Sequence, residues 1–306
     1  MTSSESPVDY SHVRTVVDDG TLLGECPVWS AAENVLYWED IDGKRVHRYD
    51  PATGQDEVRS TPGRPGSFVL TNSPGTLVVA MEHELVWLDW ASGEVSPFVP
   101  VEAAGTGNRL NDGRCDHGGR FVVGSMYENP SDQKSNGVLH SIDQSGTVTD
   151  LRENIGVTNG IAFDPLYNRM YFADSFTRKV IVWDYHTATG ARSNERVFAD
   201  YGDLPGLPDG ACVDSEGFYW SASVYGWALT RFNPDGEVDR RIEVPVQKPS
   251  MPAFGGPDLK TIYITTIGNA GDTASESGRD GFTPGALLAV DSDIAGISEP
   301  TFPLDS

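Results

Sequence analysis

The chain has 306 residues with 45 acidic against 22 basic side chains, a formal net charge of −23. That balance argues against nucleic acid or an anionic membrane as partner, because like charges repel over the Debye length. Apolar residues make up 38% and aromatic residues 10%, enough for a substantial core, while 33 Gly and 20 Pro suit many tight turns better than helices.

The opening stretch MTSSESPVDYSHVRTVVDDG has neither a basic leader nor an apolar run, so no signal peptide is expected. No segment approaches the roughly 18 apolar residues of a membrane span. Three cysteines, Cys26, Cys115 and Cys212, lie far apart and read as reduced thiols. A cytoplasmic protein is expected, as a monomer or small homo-oligomer.

HVRTVVDDG has the pattern of a lone strand. After it, short apolar and aromatic runs alternate with turn residues, as in NVLYWEDIDGKRVHRYDPATG, TLVVAMEHELVWLDWASG, RMYFADSFTRKVIVWDYHTATG and GFYWSASVYGWALTRFNPDG. Each reads as strand, turn, strand and then a Pro/Asp/Gly hairpin. Overlaying these units exposes a repeat carried by ECPVWSAAENVLYW, SFVLTNSPGTLVVA, NDGRCDHGGRFVVG, NGIAFDPLYNRMYFA, DGACVDSEGFYWSA and MPAFGGPDLKTIYIT. Their opening residues are Glu25, Ser67, Asn111, Asn159, Asp209 and Met251, spaced by 42, 44, 48, 50 and 42 residues. Such spacing fits four-stranded propeller blades of about 40–50 residues.

An all-β, six-bladed β-propeller is therefore expected, one domain over residues 1–306. HVRTVVDDG would complete the last blade beside strands from TIYITT and GALLAVDS. Two stacked β-sandwiches would leave the six matching openings without a reason. The stretch 268–285, GNAGDTASESGRDGFTPG, has no periodicity and reads as a mobile insertion.

In a propeller the innermost strand of every blade lines a central channel, so equivalent positions meet at one height. Glu25, Asn111, Asn159 and Asp209 would then converge from blades 1, 3, 4 and 5. Two carboxylates and two carboxamides form an all-oxygen set suited to Ca²⁺, Mg²⁺ or Mn²⁺. Asn or Asp before Gly is more often a turn residue bonded to its own backbone. Glu25 resists that reading, since it opens a strand due for burial, where a lone carboxylate is costly.

The segments GECPVW, NRLNDGRCD, GVTNGIAFDP, LPDGACVDSEGFYW and PAFGGPDLKTIYIT also resemble, in order, those of the senescence-marker-protein/gluconolactonase family, the regucalcin-like sugar lactonases. The resemblance implies a six-bladed propeller holding one catalytic divalent metal at the channel mouth, with Ca, Mg, Mn, Zn or Fe all open. It carries the metal-ligand role onto Glu25, Asn159 and Asp209, and substrate contacts onto Arg109, Asn111 and Glu128. Asn111 thus moves from the ligand ring to the substrate. Cys26 stands where the family often has Gly or Ser and reads as a packing residue, and Cys115 as inert. His83 reads as packing or facing solvent, and 128–137 as a loop over the pocket.

The expected chemistry is opening of a sugar-acid lactone by an activated water, with Asp209 as the base. Neither a G-x-S-x-G elbow nor an H-E-x-x-H pattern is present, so serine-hydrolase and zincin mechanisms have no support. Alternatives are a Ca-dependent phosphotriesterase or aryl esterase, and a calcium-binding propeller without catalysis. Arg109, Asn111 and Glu128 together favour a polyhydroxy ligand over an apolar ester.

Overall fold

The computed structural model describes residues 9–269 and 278–304; the central part of the 268–285 stretch lies outside them. β1 (Val13–Val17) stands before the first blade. Blade 1 is β2 (Gly24–Ser30), β3 (Val35–Asp40), β4 (Arg45–Asp50) and β5 (Gln55–Ser60); blade 2 is β6 (Ser67–Leu70), β7 (Thr76–Ala80), β8 (Glu84–Asp89) and β9 (Val95–Pro100). Blade 3 is β10 (Asn108–Cys115), β11 (Phe121–Tyr127), β12 (Gly137–Ile142) and β13 (Val148–Ile155). Blade 4 is β14 (Thr158–Asp164), β15 (Arg169–Asp174), β16 (Lys179–His186) and β17 (Ala191–Asp200). Blade 5 is β18 (Leu207–Val213), β19 (Tyr219–Val224), β20 (Ala228–Phe232) and β21 (Val238–Glu243). Blade 6 is β22 (Pro249–Gly255), β23 (Thr261–Thr266), β24 (Leu287–Asp291) and, from the other end of the chain, β1.

The expected six-bladed propeller is what forms, and HVRTVVDDG supplies the outer strand of the last blade, with Val13 opposite Val290. Sheets of alternating pattern bury both faces here because each blade packs on two neighbours. Between blades 1 and 2, for example, Tyr37 meets Phe68 and Trp90 edge-on, with ring centroids 6.4 and 5.3 Å apart. Burial of each such ring contributes about 2–3 kcal/mol.

The repeated Asp-containing hairpins are scaffold. Asp116 Oδ1 accepts bonds from the amides of Gly118 (2.9 Å) and Arg120 (2.7 Å). Asp214 Oδ1 does the same for Glu216 (2.9 Å) and Phe218 (3.1 Å). These carboxylates satisfy turn amides that would otherwise lack partners. Gly119 sits at φ +79°, which a side chain would strain.

Five innermost strands share a finer feature, that of blade 6 slipping between Pro249 and Met251. The register between first and second strand slips between Glu25 and Val28, Leu110 and Gly113, Asn159 and Ala162, and Pro208 and Ala211. Blade 2 pairs Ser67–Leu70 with Leu77–Ala80 without a slip. A bulge of this kind turns one side chain out of the alternating pattern, so blades 1, 3, 4 and 5 are bent where they carry Glu25, Asn111, Asn159 and Asp209. Cys26 adopts φ +48° at the first bulge and Gly160 φ +61° at the third.

Beyond β24 the chain crosses the floor of the ring. Ala295 O accepts the amide of Ser215 on blade 5 (2.9 Å), and Gly296 bridges Asp214. Glu299 then pairs with Arg114 of β10. Phe302 ends on blade 2, where its amide donates to Leu70 O (2.8 Å) and its fully buried ring packs edge-on against Trp87 and Phe98. Blades 5 and 2 face each other across a six-membered ring, so this tail spans the channel's whole width.

Candidate functional site

Antiparallel pairing puts the start of each innermost strand beside the end of its neighbour: Gly24 lies opposite Asp40, Asn108 opposite Tyr127, Thr158 opposite Asp174 and Leu207 opposite Val224. All four pairs define one mouth of the channel. Around it Asn111, Asn159 and Asp209 are buried, whereas Glu25 keeps part of its surface open.

The two carboxamides touch. Asn111 Nδ2 donates to Asn159 Oδ1 (3.2 Å) and to Thr158 O (2.9 Å). Asn159 Nδ2 donates to Ser175 Oγ (2.9 Å), and Ser175 Oγ donates in turn to Pro208 O (2.7 Å). This chain fixes which end of the Asn159 amide is oxygen and leaves that oxygen beside Asn111. Neighbouring blades brace the same strands: Ser67 Oγ donates to Asn111 O (2.7 Å) and Tyr219 Oη to Gly160 O (2.9 Å). The openings at Ser67 and Met251 thus serve as support, Met251 packing directly on Gly210.

The carboxylates are the unstable part. Burial pushes the Glu25 carboxyl well above its ordinary range, and the nearby charges of Asp209, Asp112 and Glu39 push it further. Burial and Asp112 do the same to Asp209. Asp112 is also raised by burial, although the Ile161 amide, which donates to its Oδ2 at 2.9 Å, and Arg114 offset part of this. Four acids therefore crowd one mouth. A divalent cation among Glu25, Asp209 and the Asn159 oxygen would remove the repulsion, and its preference for hard oxygen donors matches the set. The residues present fit such an ion.

Arg109 is buried, and its guanidinium donates to Asn111 Oδ1 (2.7 Å) and Leu110 O (3.0 Å). Desolvation and the charge of Arg64 bring its pKa down to about 10, against the pull of Asp42, Glu25 and Glu39, so it stays cationic at neutral pH. Glu128 stands apart, exposed on the rim, where Arg64 donates to its Oε1 at 2.6 Å. The segment 128–136 beyond it is exposed, with Lys134 over the Tyr127 ring at 3.6 Å.

Sequence reasoning missed Arg64, Glu39, Asp112 and Arg114. Asp112 was hidden in an Asn-Asp-Gly triplet that looks like a turn but lies wholly within β10. Arg64 and Arg114 had no repeat position to mark them. Arg114 ties three blades together, donating from β10 to Ile161 O (3.3 Å) and Ala211 O (2.8 Å). All three cysteines are free and buried, and burial raises each thiol pKa, so none is a nucleophile. His83 is half-buried.

Among the described residues, Asp19, His47 and Asp56 form another group with ligand-like spacing, on the outer strands of blade 1 and the loop before it. His47 Nδ1 bonds Asp56 Oδ2 at 2.6 Å and Asp19 meets Arg45 at 3.1 Å, while His47 Nε2 and Asp56 Oδ1 are buried without a bond. A guanidinium there already supplies the positive charge.

No helix among the described residues is long and apolar enough to cross a membrane. Residues 23–268 match the model of the SMP-30/gluconolactonase/LRE-like region. The chain is 36% identical over 297 residues to pentonolactonase XacC of Haloferax volcanii, covering 96% of this chain and 98% of that one. It is likewise 36% identical to 6-deoxy-6-sulfogluconolactonase of Pseudomonas putida, covering 95% and 98%. The crystal structure of the calcium-binding protein regucalcin from Agrobacterium tumefaciens superimposes with a TM-score of 0.86 at 26% identity, covering 94% of this chain and 96% of that one. Ordered blade openings, a bulged oxygen-rich mouth and a match across most of its length together make this chain a member of the SMP-30/gluconolactonase/LRE-like family.

Proposed function

We propose that this lactonase opens a sugar-acid lactone to its aldonate at the channel mouth, using a divalent metal held by Glu25, Asn159 and Asp209. The observation that carries the reading is the pair of acids from blades 1 and 5, forced together beside a braced carboxamide oxygen. Nothing in folding alone rewards that arrangement. Relatives that act on pentonolactone and on a sulfogluconolactone support the substrate class.

Bound there, the ion would supply a Lewis acid for the lactone carbonyl and lower the pKa of a water. Asp209, whose carboxylate faces the same space, takes the proton of the attacking water. Arg109 and Asn111 form one fixed unit through their 2.7 Å bond and hold the substrate's ring oxygen or hydroxyls. Glu128, steadied by Arg64, accepts from a hydroxyl farther out. These polar contacts select a polyol over an apolar ester.

The test is a pH-indicator assay on a panel of aldonolactones, phosphotriesters and aryl esters, after chelation and re-addition of single metals. Lactone turnover should vanish on chelation and return with metal. Asp209→Ala should lower kcat/KM by about a thousandfold or more. Lactone hydrolysis that survives chelation, or a preference for phosphotriesters, would defeat the proposal.

A further inference from the structure

The turns that follow the second strand of blades 1, 2 and 3 each bring an acid to the mouth: Asp42 after β3, Glu82 after β7 and Glu128 after β11. All three meet one cation, Arg64, on the connection from blade 1 to blade 2. Arg64 Nη2 lies 2.6 Å from Glu128 Oε1, its Nη1 3.8 Å from Asp42 Oδ1 and its Nε 3.9 Å from Glu82 Oε1. One guanidinium among three carboxylates leaves this wall with two negative charges in excess. Asp42 and Glu128 keep 49% and 60% of their side-chain surface open, so the excess faces the solvent of the mouth. Lys134, farther along the rim, is already matched by Asp132 at 3.8 Å. The corresponding turns of blades 4 and 5 present exposed Phe176 and Tyr225 in place of an acid.

Folding does not require these charges. Glu82 Oε1 accepts the amide of Arg64 (2.8 Å), a bond that a carboxamide oxygen would accept equally well. Exposed ion pairs stabilise little, and acids beyond the one a cation can match repel each other. The wall does stand beside the proposed substrate contacts. Glu82 O accepts the amide of Leu110 (2.9 Å), the residue between Arg109 and Asn111. Glu128, the outer contact, is fixed from behind as its amide donates to Gly107 O (2.8 Å). A carboxylate only accepts hydrogen bonds, so it favours a hydroxyl at the far end of a lactone and repels an anion there.

We propose that this wall is a charge filter: the site takes uncharged aldonolactones and rejects those with an anionic group remote from the lactone carbonyl, with Glu82 and Asp42 as specificity-determining residues. Arg64 holds the acids in place without cancelling them. The inference rests on the lactonase reading above, with Glu128 as its outer contact, and names which lactones that site accepts.

The experiment compares two lactones on the metal-loaded protein, glucono-γ-lactone and glucaro-γ-lactone, which share a ring and differ in a terminal hydroxymethyl against a carboxylate. In wild type, kcat/KM for the glucaro lactone should be about a hundredfold lower. Raising NaCl from about 0.02 to about 0.5 M should narrow that gap at least about threefold, with the glucono lactone steady within about twofold. Glu82→Gln keeps the oxygen that accepts the Arg64 amide and removes the charge. It should raise kcat/KM for the glucaro lactone about tenfold and leave the glucono lactone within about twofold. Asp42→Asn, on an exposed turn, should give about a threefold rise by the same measure and serves if Glu82→Gln does not fold. Equal kcat/KM for the two lactones in wild type, a gap indifferent to salt, or variants in which both lactones change together would overturn the inference alone. Glucono-γ-lactone hydrolysis that survives chelation would overturn the reading of the site and this inference with it.

Discussion

Gly160→Ala is the sharpest probe of how the bulges build the site. Gly160 follows Asn159 at φ +61°, where a side chain costs roughly 1–2 kcal/mol. A Cβ placed there would lie 2.4 Å from Tyr219 Oη, 2.8 Å from Ala173 Cβ and 3.2 Å from Asp209 O. Tyr219 cannot swing away. It is fully buried and wedged against Tyr171 and Phe198, with centroids at 4.8 and 5.8 Å. Moving it breaks the Tyr219–Gly160 bond, worth about 1 kcal/mol, and the overpacking adds roughly 1–3 kcal/mol. The sum is about 4 kcal/mol, or a melting point lower by about 8 °C at the 2 °C per kcal/mol suited to a chain of this size. Because the same Cβ presses on the Asp209 backbone and sits beside Asn159, Mn²⁺ affinity should fall as well. Calorimetry reads both. A melting point within about 2 °C of wild type with unchanged Mn²⁺ affinity would refute the argument that this backbone position is shared by fold and site.

Removing the cation that ties three blades should be costlier still. Arg114→Ala leaves Glu299 without its partner and Asp112 without an offsetting charge, and should lower stability by about 3–5 kcal/mol in denaturant unfolding. A loss under about 1 kcal/mol would show that the blades hold without it. The raised Glu25 and Asp209 carboxyls set a pH dependence. Their native pKa values lie above the unfolded ones, so the metal-free fold carries no ionisation penalty below the ordinary carboxylate range and an increasing one as pH rises through the raised values. A bound metal replaces those protons and removes the penalty. The gap in melting point between metal-loaded and chelated protein should therefore widen as pH rises and close in acid. A gap that narrows towards neutrality would contradict the shifts.

The fold was legible because its signals repeat. Six openings at near-equal spacing survive noise in any one of them, and the Asp turn at 116 or 214 announces itself by chemistry that acts over two to four residues. Site residues were legible only where they occupied the repeated position. Glu39 sits in YWEDI, an ordinary strand pattern, and nothing local reveals that its oxygens meet no donor. The bulges left only faint traces, such as Gly160, while Cys26 adopts a positive φ that its side chain does not advertise. The partnership of Arg64 with Glu128 spans 64 residues and two loops, beyond any pattern read along the chain.

The tail from Ala295 to Phe302 gives the channel a floor. Among the described residues, it lies across the end of the channel opposite the mouth. The open end is the rim that bears Arg64 and Glu128, the side from which a lactone would reach the proposed site. In the proposed reaction an uncharged molecule goes in and an anion comes out. With a net charge of −23 on the chain, the protein's overall field favours departure of the product and hardly opposes the next substrate.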